Sequence, residues 1–366
     1  MGDRELAGLA QDLVRIDSRS GVSNLALAQR IEAELAGFEI ERIDFTDPQG
    51  VAKRALVARR GPPGGYGLSG HMDTVPATGW NEDPWSGRIA GGLLHGLGSQ
   101  DMKGPLAACI LAARRAPPEV PVTLLLTTDE ETTKQGAREI LARSRLARGL
   151  AGIVVAEPTG MVPVRGHRAS IRFTAVAKGV QAHSATGKGV NANWQLIPFL
   201  AEMRMLFDRL RTDPALQDPA YEPPFPDFNL VIDNHGTAVN VTVPLATAEI
   251  KFRFSAAIDS EPIRAQLRAA AARAGLELRE VEEGRPPELA ADHPLVRHAV
   301  RLTGKPAATA AFGTDASLLQ ALAPCLVLGP GSIATAHTPQ EAVALADLEA
   351  ACDLFGRLVR EAPSCP

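Results

Sequence analysis

The sequence predicts an α/β protein with a mainly parallel mixed sheet, helices on both faces of that sheet, and an inserted α+β domain. Short apolar runs such as Val122–Leu126 and Gly152–Ala156 alternate with amphipathic segments early in the chain. Such runs are typical of parallel strands that are buried on both faces. The middle of the chain differs, because Ala169–Lys178 and Ala248–Ala257 alternate polar and apolar residues as half-exposed strands do. We therefore predict that 1–166 and 286–366 form one domain and that 167–285 forms the insert.

Length and composition describe a globular protein of two domains and argue against several functional classes. The chain has 366 residues, of which 45% are hydrophobic and 22% are charged, which is ample material for two cores. A net charge of −4 and an aromatic content of 4% do not favour binding of nucleic acid or of an anionic membrane. No apolar run is long enough to span a membrane, and the N-terminus lacks the apolar stretch of a signal peptide, so a cytoplasmic protein is expected.

The four cysteines do not form a metal-binding pattern. Cys109, Cys325, Cys352 and Cys365 are scattered along the chain, and no CxxC pair occurs. This distribution is typical of proteins from a reducing compartment, and it argues against a zinc–thiolate site.

The individual elements follow from periodicity and from turn residues. Two amphipathic helices open the chain, the second with Asn24 as its N-cap and Gly37 as its stop. Further helices are predicted at about Met102–Arg115, Trp194–Leu210, Glu261–Ala274, Pro294–Leu302 and Gln340–Glu361, with another opening at Phe312–Asp315. Further strands are predicted at Glu39–Phe45, Ala55–Ala58, Phe228–Asp233, Leu276–Val281 and Cys325–Leu328.

Side chains of the kind that bind metals stand where several predicted strands or turns end. They are His71, Asp101, Glu131 and Glu157, and His337 takes the same place beyond a later strand. In open α/β sheets, ligands bind beyond the carboxyl ends of the strands. Imidazole and carboxylate together suit hard or borderline divalent cations. A single strand or turn that ends on such a side chain is common, but four of them within the first 160 residues predict a metal site.

Two pairs of neighbouring residues suggest a division of tasks at that site. Of the adjacent acids, one can hold a metal ion while the other takes a proton from a metal-bound water; the pair is Glu130 and Glu131. The alternative is that these acids open the next helix and interact with its dipole. His71 and Asp73 lie two residues apart, so on an extended chain the carboxylate can orient the imidazole, although a lone HxD is more often a surface turn.

Six motifs, in order along nearly the whole chain, identify a resemblance to a known family. They are GHMDTVP (70–76), GLGSQDMKG (96–104), TTDEET (127–132), AEPTG (156–160), QAHSATGKGVNA (181–192) and LGPGSIATAHTPQE (328–341). They resemble the dinuclear zinc amidohydrolases and peptidases that include acetylornithine deacetylase, succinyl-diaminopimelate desuccinylase and aminoacylase. Segments 221–232 and 328–337 look most similar to acetylornithine deacetylase. The sequence departs from the family at Leu97, at Pro105 and at Asp315, where these deacetylases usually have arginine, glycine and glutamate.

The resemblance implies a metal ligand set. It makes Asp101 the carboxylate that bridges two divalent ions per subunit, zinc or alternatively cobalt, and it implies a cis peptide bond after Asp101. His71 and Glu157 would be the other ligands of one ion. Glu131 and His337 would be the other ligands of the second ion.

The resemblance also implies catalytic and substrate-binding residues. Glu130 matches the general base, and Asp73 matches the acid that orients His71. His183 matches a histidine that polarises the scissile carbonyl in the active site of the partner subunit. The resemblance therefore implies a homodimer. It also implies that the insert acts as a lid and as the dimerisation domain. The residues expected to bind the substrate are His183, Asn240, Arg253 and Thr314.

The expected activity is metal-dependent removal of the acyl group from a small N-acyl amino acid. The resemblance favours hydrolysis of N-acetylornithine to ornithine and acetate, a step of arginine biosynthesis. Alternatives within the family are a succinyl-diaminopimelate desuccinylase, an aminoacylase and a dipeptidase. The alternative outside enzymes is a protein that binds a metal or an acyl amino acid without turnover, and the complete set of ligand and base positions argues against it.

Overall fold

The computed structural model describes residues 2–363, and the chain folds as two compact units. Unit 1 comprises Met1–Gly166, Pro287–Ala308 and Thr314–Pro366, and unit 2 comprises His167–Pro286 and Thr309–Gly313. The segment Thr309–Gly313, which the sequence places in the C-terminal part of the first domain, thus belongs to the same compact unit as the insert.

The described residues form three sheets and a set of helices. The strands are β1 (Glu39–Thr46), β2 (Ala52–Arg60), β3 (Tyr66–His71), β4 (Ile89–Ala90), β5 (Leu93–His95), β6 (Val122–Thr127), β7 (Gly152–Val155), β8 (Val164–His167), β9 (Ala169–Lys178), β10 (Asp227–Asp233), β11 (Leu245–Phe254), β12 (Glu277–Glu282), β13 (Ala308–Ala310), β14 (Cys325–Val327) and β15 (Ala342–Ala344). The α-helices are α1 (Gly2–Val14), α2 (Leu25–Glu32), α3 (Lys103–Arg115), α4 (Gln135–Arg143), α5 (Asn193–Thr212), α6 (Glu261–Arg273), α7 (Pro294–Thr303), α8 (Ala316–Leu319) and α9 (Leu345–Arg360). No helix among the described residues is long and apolar enough to cross a membrane.

The largest sheet has eight strands in the order β1–β2–β6–β3–β7–β14–β8–β13. Its centre, β6–β3–β7–β14, is parallel, and every residue of these four strands is buried. The largely apolar sequences of these strands agree with this, because strands with helices on both faces have no solvent-exposed side. Antiparallel β1 and β2 extend the sheet at one edge. The predicted fold class, a mainly parallel mixed sheet with helices on both faces, is confirmed.

Helix α3 lies at the centre of unit 1. Its residues from Lys103 to Ala113 are all buried, because it packs against the strands β3 and β6 and against the helices α1 and α9. Helix α4 packs elsewhere on the sheet, against β1, β2 and β6. The position of α3 matters for the site, because Asp101 stands two residues before the first residue of this helix.

Two helix-start predictions need correction for tertiary reasons, although Asn24 does occupy the N-cap position of α2. The last helix begins at Leu345 instead of Gln340, because Ala342–Ala344 pairs with β5 as a strand. The Asn24 side chain does not cap α2, because its amide exchanges hydrogen bonds with the backbone of Arg54 at 2.8 Å. In both cases a segment that is distant in sequence forms hydrogen bonds with residues that local sequence rules assign to the start of a helix.

Unit 2 is an α+β fold, as the alternating strands predict. Its antiparallel sheet has the strand order β10–β11–β9–β12. Helices α5 and α6 pack on this sheet over a core that includes Phe173, Phe199 and Phe252. The predicted strand Ala248–Ala257 is shifted, since β11 spans Leu245–Phe254 and turns follow it.

Candidate metal centre

The sheet brings the predicted ligands together at the carboxyl ends of its parallel strands. His71 is the last residue of β3, where it pairs with Thr127 at the end of β6, and Glu131 follows β6 by four residues. Glu157 follows β7, the other neighbour of β3. Asp101 precedes α3, and His337 lies in the loop after β14. This is the edge where α/β sheets bind ligands.

The two carboxylate oxygens of Asp101 face two different histidines. Asp101 Oδ1 lies 3.1 Å from His71 Nε2, and Glu157 Oε1 lies 3.8 Å from the same nitrogen. Asp101 Oδ2 lies 3.2 Å from His337 Nε2, and Glu131 Oε1 lies 2.9 Å from that nitrogen. The five residues therefore form two half-sites that share Asp101. We call them the His71 half-site (His71, Glu157) and the His337 half-site (His337, Glu131).

The His71 ring is held in the tautomer that a metal ligand needs. Its Nδ1 lies 2.9 Å from the backbone carbonyl oxygen of Asp73, whereas the Asp73 carboxylate is 3.6 Å away. A carbonyl oxygen can only accept, so Nδ1 carries a hydrogen, and Nε2, which faces Asp101 and Glu157, is the ring nitrogen that remains for a metal ion. The contact that orients the ring thus comes from the backbone of Asp73.

The Asp73 carboxylate holds the loop that carries the two adjacent glutamates. Its oxygens accept hydrogen bonds from the backbone N–H groups of Glu130 (3.1 Å) and Glu131 (3.2 Å). The hydroxyl of Ser20 donates to the same carboxylate at 2.7 Å. Asp73 is fully buried, so these bonds fix the start of the Glu130–Glu131 loop relative to β3.

Charge and burial shift the pKa values of the ligands strongly. Burial, together with the charge of Asp101, raises the pKa of Glu157 well above its usual range and that of Glu131 to about 7. Burial opposes charge on His71, but its carboxylate neighbours raise its pKa well above the usual value. Hydrogen bonds to Asp101 and Glu131 raise the pKa of His337 to about 11. Three carboxyl groups and two imidazoles are thus crowded into a space that favours bound positive charge.

This donor set fits divalent metal ions. His71, Asp101 and Glu131 offer ligand atoms within 4.8 Å of one another, and so do His71, Glu130 and Glu157. Carboxylate and imidazole donors at such spacing suit zinc and related cations. Burial and repulsion between carboxylates raise the pKa values of Glu157 and Glu131, and a divalent cation would relieve that repulsion. We therefore infer that the residues present can hold two ions, one in each half-site.

A buried lysine that the sequence did not indicate anchors the loop from its other side. Lys53 is 1% exposed, and its Nζ lies 2.9 Å from Asp129 Oδ1 and donates to the backbone carbonyls of Ser20 and Val22. Burial and the nearby Asp73 raise the pKa of Asp129 to about 6, against the effect of Lys53. A lysine in a strand near the edge of a sheet is normally a surface charge, so no local signal indicated this role.

Glu341 positions Asp101 through the backbone. Its Oε1 accepts hydrogen bonds from the N–H groups of Gln100 (3.0 Å) and Asp101 (3.1 Å), and it is 1% exposed. The Asp101–Met102 peptide bond is cis, as predicted. Glu341 ends the motif that contains His337, and that position was the available signal for its role.

The predicted residues near the start of α8 are buried in unit 1. The Thr314 hydroxyl accepts a hydrogen bond from the backbone N–H of Ala316 at 3.0 Å, and Thr314 is fully buried. Asp315 is 2% exposed, and burial together with the charge of Glu130 raises its pKa to about 7. The substrate contact expected of Thr314 stays a prediction, since its hydroxyl is engaged within its own helix start.

In unit 2 the structure brings His183 and Asn240 onto neighbouring loops. Both residues are exposed, and the backbone N–H of Ser184 donates to the carbonyl oxygen of Asn240 at 3.0 Å. His183 also forms a β-bridge with Val241. The two loops follow β9 and precede β11, which pair antiparallel and therefore end at the same edge of the sheet.

Arg253 lies at the opposite end of that sheet. It stands near the end of β11, where it pairs with Ser170 at the start of β9. Its guanidinium forms an ion pair with Asp227, the residue opposite it on β10. The structure therefore does not bring Arg253 together with His183 and Asn240 within one copy of unit 2.

Comparison with known proteins gives an independent assignment. Residues 67–361 match the model of peptidase family M20/M25/M40. The acetylornithine deacetylase of Proteus mirabilis is 33% identical over 359 residues, covering 94% of this chain and 91% of that protein. The acetylornithine deacetylase of Vibrio vulnificus is 31% identical over 361 residues, covering 92% of each.

Solved structures share the fold at lower sequence identity. Human carnosine dipeptidase 1 aligns with a TM-score of 0.74 and 15% identity, covering 98% of this chain and 97% of its own. A dinuclear metal binding peptidase of the M20 family from Bacillus subtilis aligns with a TM-score of 0.64 and 18% identity, covering 98% of this chain and 97% of its own. The match to the family model spans most of the chain and agrees with the two half-sites at the end of the sheet. The chain therefore belongs to peptidase family M20/M25/M40, a family of metal-dependent hydrolases.

Proposed function

We propose that the protein is a two-metal amidohydrolase that removes the acyl group from an N-acyl amino acid, with N-acetylornithine as the substrate. The observation that carries this proposal is the division of the Asp101 carboxylate between His71 and His337, with Glu130 beside the His71 half-site. The names of the relatives at 33% and 31% identity support the acetyl group and the ornithine side chain.

Residues of this chain account for the proton transfers of amide hydrolysis. Two divalent ions, zinc or alternatively cobalt, would supply Lewis acidity that lowers the pKa of water. Glu130 takes one proton as water adds to the amide carbonyl, and it later delivers that proton to the leaving amine. The C–N bond breaks, the carboxylic acid retains the oxygen of the water, and atoms and charge balance. His183 donates a hydrogen bond to the oxyanion that develops on the carbonyl.

A hydrolysis panel combined with metal analysis tests the substrate. Purified protein loaded with zinc or cobalt is assayed on N-acetylornithine, N-succinyl-diaminopimelate, other N-acetyl amino acids and dipeptides. We expect two metal ions per chain and the highest kcat/KM on N-acetylornithine by a wide margin over the succinylated substrate. Equal or reversed values would contradict the acetylornithine assignment. Two bound ions with no turnover of any substrate would favour the binding-protein alternative.

We also propose a two-fold homodimer, formed through unit 2. Strand β10 is an edge strand of its sheet, and three consecutive apolar residues on it are exposed: Leu230, Val231 and Ile232. Helix α5 exposes Trp194, Ile197 and Met205. An unpaired strand edge with apolar side chains favours pairing with a second copy, and a two-fold axis makes such pairing self-complementary.

The positions of the predicted substrate-binding residues support a site that is shared between subunits. The part of β11 from Leu245 to Arg253 spans about 27 Å at the usual rise of a strand. A small amino acid derivative cannot contact both ends of this strand. If Asn240 and Arg253 bind one substrate carboxylate, as the family resemblance implies, they must come from two subunits. His183 would then act with Asn240 at the metal centre of the partner subunit.

Mixing two inactive variants tests the shared site. Glu130→Ala and His183→Ala proteins are combined under conditions that allow subunits to exchange, and mass spectrometry confirms the mixed dimers. In a mixed dimer one centre has both an intact Glu130 and the intact His183 of the other subunit. Random exchange makes about half of the dimers mixed, so activity should return to roughly a quarter of wild type. No recovery despite confirmed exchange would show that His183 acts within its own chain.

A further inference from the structure

A second buried lysine faces Glu130, the residue proposed as the general base. The Nζ atom of Lys134 lies 3.4 Å from Glu130 Oε1, and the two side chains are only 9% and 10% exposed. This separation describes an ion pair more than an aligned hydrogen bond. One carboxylate oxygen of Glu130 lies within 4.8 Å of ligand atoms of His71 and Glu157. Glu130 therefore lies between the metal ligands and a single buried ammonium group.

The ammonium group of Lys134 is anchored by two further contacts. Its Nζ donates to the backbone carbonyl of Thr314 at 2.6 Å and contacts the hydroxyl of Ser317 at 3.2 Å. Two of the three N–H donors of this ammonium group are thus engaged near the start of α8, and its charge lies beside Glu130. Its geometry is that of a residue that holds Glu130, anchored from behind by the start of α8.

The backbone around Lys134 directs its side chain to this place. Lys134 has a left-handed backbone conformation, with φ 54°, and so does Asp129, with φ 60°, at the other end of the turn. The backbone N–H of Lys134 donates to the carbonyl oxygen of Asp129 at 2.6 Å and closes the turn. This conformation is unfavourable for a residue with a Cβ atom, and it persists where the surrounding structure enforces it. Anchoring of Lys134 at Thr314 is such a constraint.

We propose that Lys134 is a positioning residue that holds the Glu130 carboxylate in the orientation needed for proton transfer, an inference that rests on the proposed amidohydrolase function. Glutamate has three rotatable bonds, and a buried ion pair with an anchored ammonium restricts them. Transfer of a proton requires the base to lie within hydrogen-bond distance of the attacking water. Removal of the ammonium should therefore lower the rate of turnover more than the binding of the substrate.

The first part of the test compares Lys134→Met with Lys134→Arg. Methionine keeps the length of the side chain and removes its charge, and arginine keeps the charge. We expect Lys134→Met to lower kcat by about 10- to 100-fold, the range typical for residues that orient a site from behind, with KM changed by less than about threefold. Lys134→Arg should retain a larger share of kcat. Both variants should bind two metal ions, and a crystal structure of Lys134→Met should show Glu130 in more than one rotamer.

The second part asks whether Lys134 acts through Glu130. In a Glu130→Gln background, Lys134→Met should change the residual rate by less than about twofold, because residues that act as a unit are not additive. The matched control is Lys53→Met, which removes the other buried lysine that anchors this turn but contacts Asp129. Lys53→Met should change the rate by the same factor in the wild-type and in the Glu130→Gln background, because Lys53 acts on the loop as a whole.

The outcomes separate the role of Lys134 from the proposed function. If the wild-type protein hydrolyses no substrate of the panel, the proposed function has failed, and the rotamers of Glu130 in the crystal structure of Lys134→Met decide the positioning role alone. If the wild type is active and Lys134→Met matches it in kcat, or lowers kcat equally in both backgrounds, the positioning role is wrong. If Lys134→Met does not fold, Lys134→Gln, which can still bond Thr314, enters the same comparison.

Discussion

The two half-sites use the same kinds of ligand but hold them differently. In the His71 half-site both side chains are buried, with His71 at 1% and Glu157 at 7% exposure. In the His337 half-site Glu131 is 9% exposed, but His337 is 44% exposed. His71 belongs to a central strand and has a carbonyl partner for its second ring nitrogen. His337 stands in a loop, in a left-handed backbone conformation with φ 62°.

The difference indicates which part of the centre is preformed. The His71 half-site is assembled by the core of unit 1, because strand pairing and the Asp73 carbonyl place its imidazole before any ion binds. The His337 half-site depends on a loop and on two carboxylates that the imidazole must reach. We therefore expect the first half-site to contribute to stability without metal and the second to gain order from the ion. Variants that act on one half-site, on both or on neither can test this comparison.

The largest effect is expected from a residue that belongs to neither half-site. Glu130→Gln should lower kcat by at least about 10²–10⁴-fold, because it removes the proposed general base, while both half-sites keep their ions. Metal analysis by mass spectrometry and kcat on N-acetylornithine are the measurements. Because Glu130 lies close to His71 and Glu157, loss of one ion from this variant would show that it is a ligand and that Glu131 needs another role.

Removal of one histidine from each half-site should separate them by stability. His71→Ala removes the imidazole that faces the buried Glu157 and one of the two imidazoles that face the buried Asp101, and loss of one member of such a cluster costs about 3–5 kcal/mol. His337→Ala removes an imidazole that is partly exposed and screened by solvent, so its cost should be at most about 1 kcal/mol. Urea unfolding of the metal-free variants measures both values.

The metal content of the same two variants serves as the control. Each should retain one ion per chain instead of two, since each loses a ligand of one half-site only. Equal losses of stability for His71→Ala and His337→Ala would contradict the view that only the first half-site is preformed.

Removal of the metal should make stability depend on pH in a direction set by the raised pKa values. The pKa of Glu131 is about 7 in the folded chain, above its ordinary value of 4.5, so its contribution to stability is lost as pH rises from about 4.5 to about 7. The pKa of His337 is about 11 instead of 6.5, so its contribution is lost as pH rises above about 6.5. The melting temperature of chelator-treated protein should therefore fall as pH rises above about 4.5, first over the window of Glu131 up to about 7 and then over the window of His337 from about 6.5 upward.

Zinc-loaded protein provides the comparison for this pH series. Bound cations replace the protons, and metal affinity rises with pH because the ligands must lose their protons to bind. Its melting temperature should not fall over the same range. A parallel fall with and without metal would mean that groups outside the centre cause the dependence.

The smallest effect is expected from Glu341→Gln, which acts on the ligand that both half-sites share. This variant weakens the hold on the backbone of Asp101, and changes in such supporting groups typically cost about 10–100-fold in metal affinity. We expect a value near the lower end, because glutamine still offers one acceptor oxygen. Competition with a chelator should show that both ions are weakened by a similar factor. Weakening of a single ion would place Glu341 in one half-site only.

The apolar runs and the ligand types were sufficient to predict the centre of unit 1. A run such as Val122–Leu126 is apolar except for Thr123, so it is expected to be buried on both sides, as strands of a parallel sheet are. In such a sheet the residues after the strands meet at one edge, which is why His71, Glu131 and Glu157 could be expected together. Asp101, which closes a glycine-rich turn, and His337, which lies beyond a later strand, were further candidates, and the motifs assigned their roles.

Tertiary structure alone decided the contacts that hold these ligands. Lys53 and Lys134 are buried lysines whose partners are set by how loops fold over the sheet, and a lysine in isolation is expected to be exposed. The Asp73 carbonyl orients His71 because of the local turn, and the carboxylate is left to bind the next loop. The sequence by itself determined which side chains carry the chemistry, since donor type and strand burial are local properties. Only the fold decided how they are positioned, since that depends on partners that are far away along the chain.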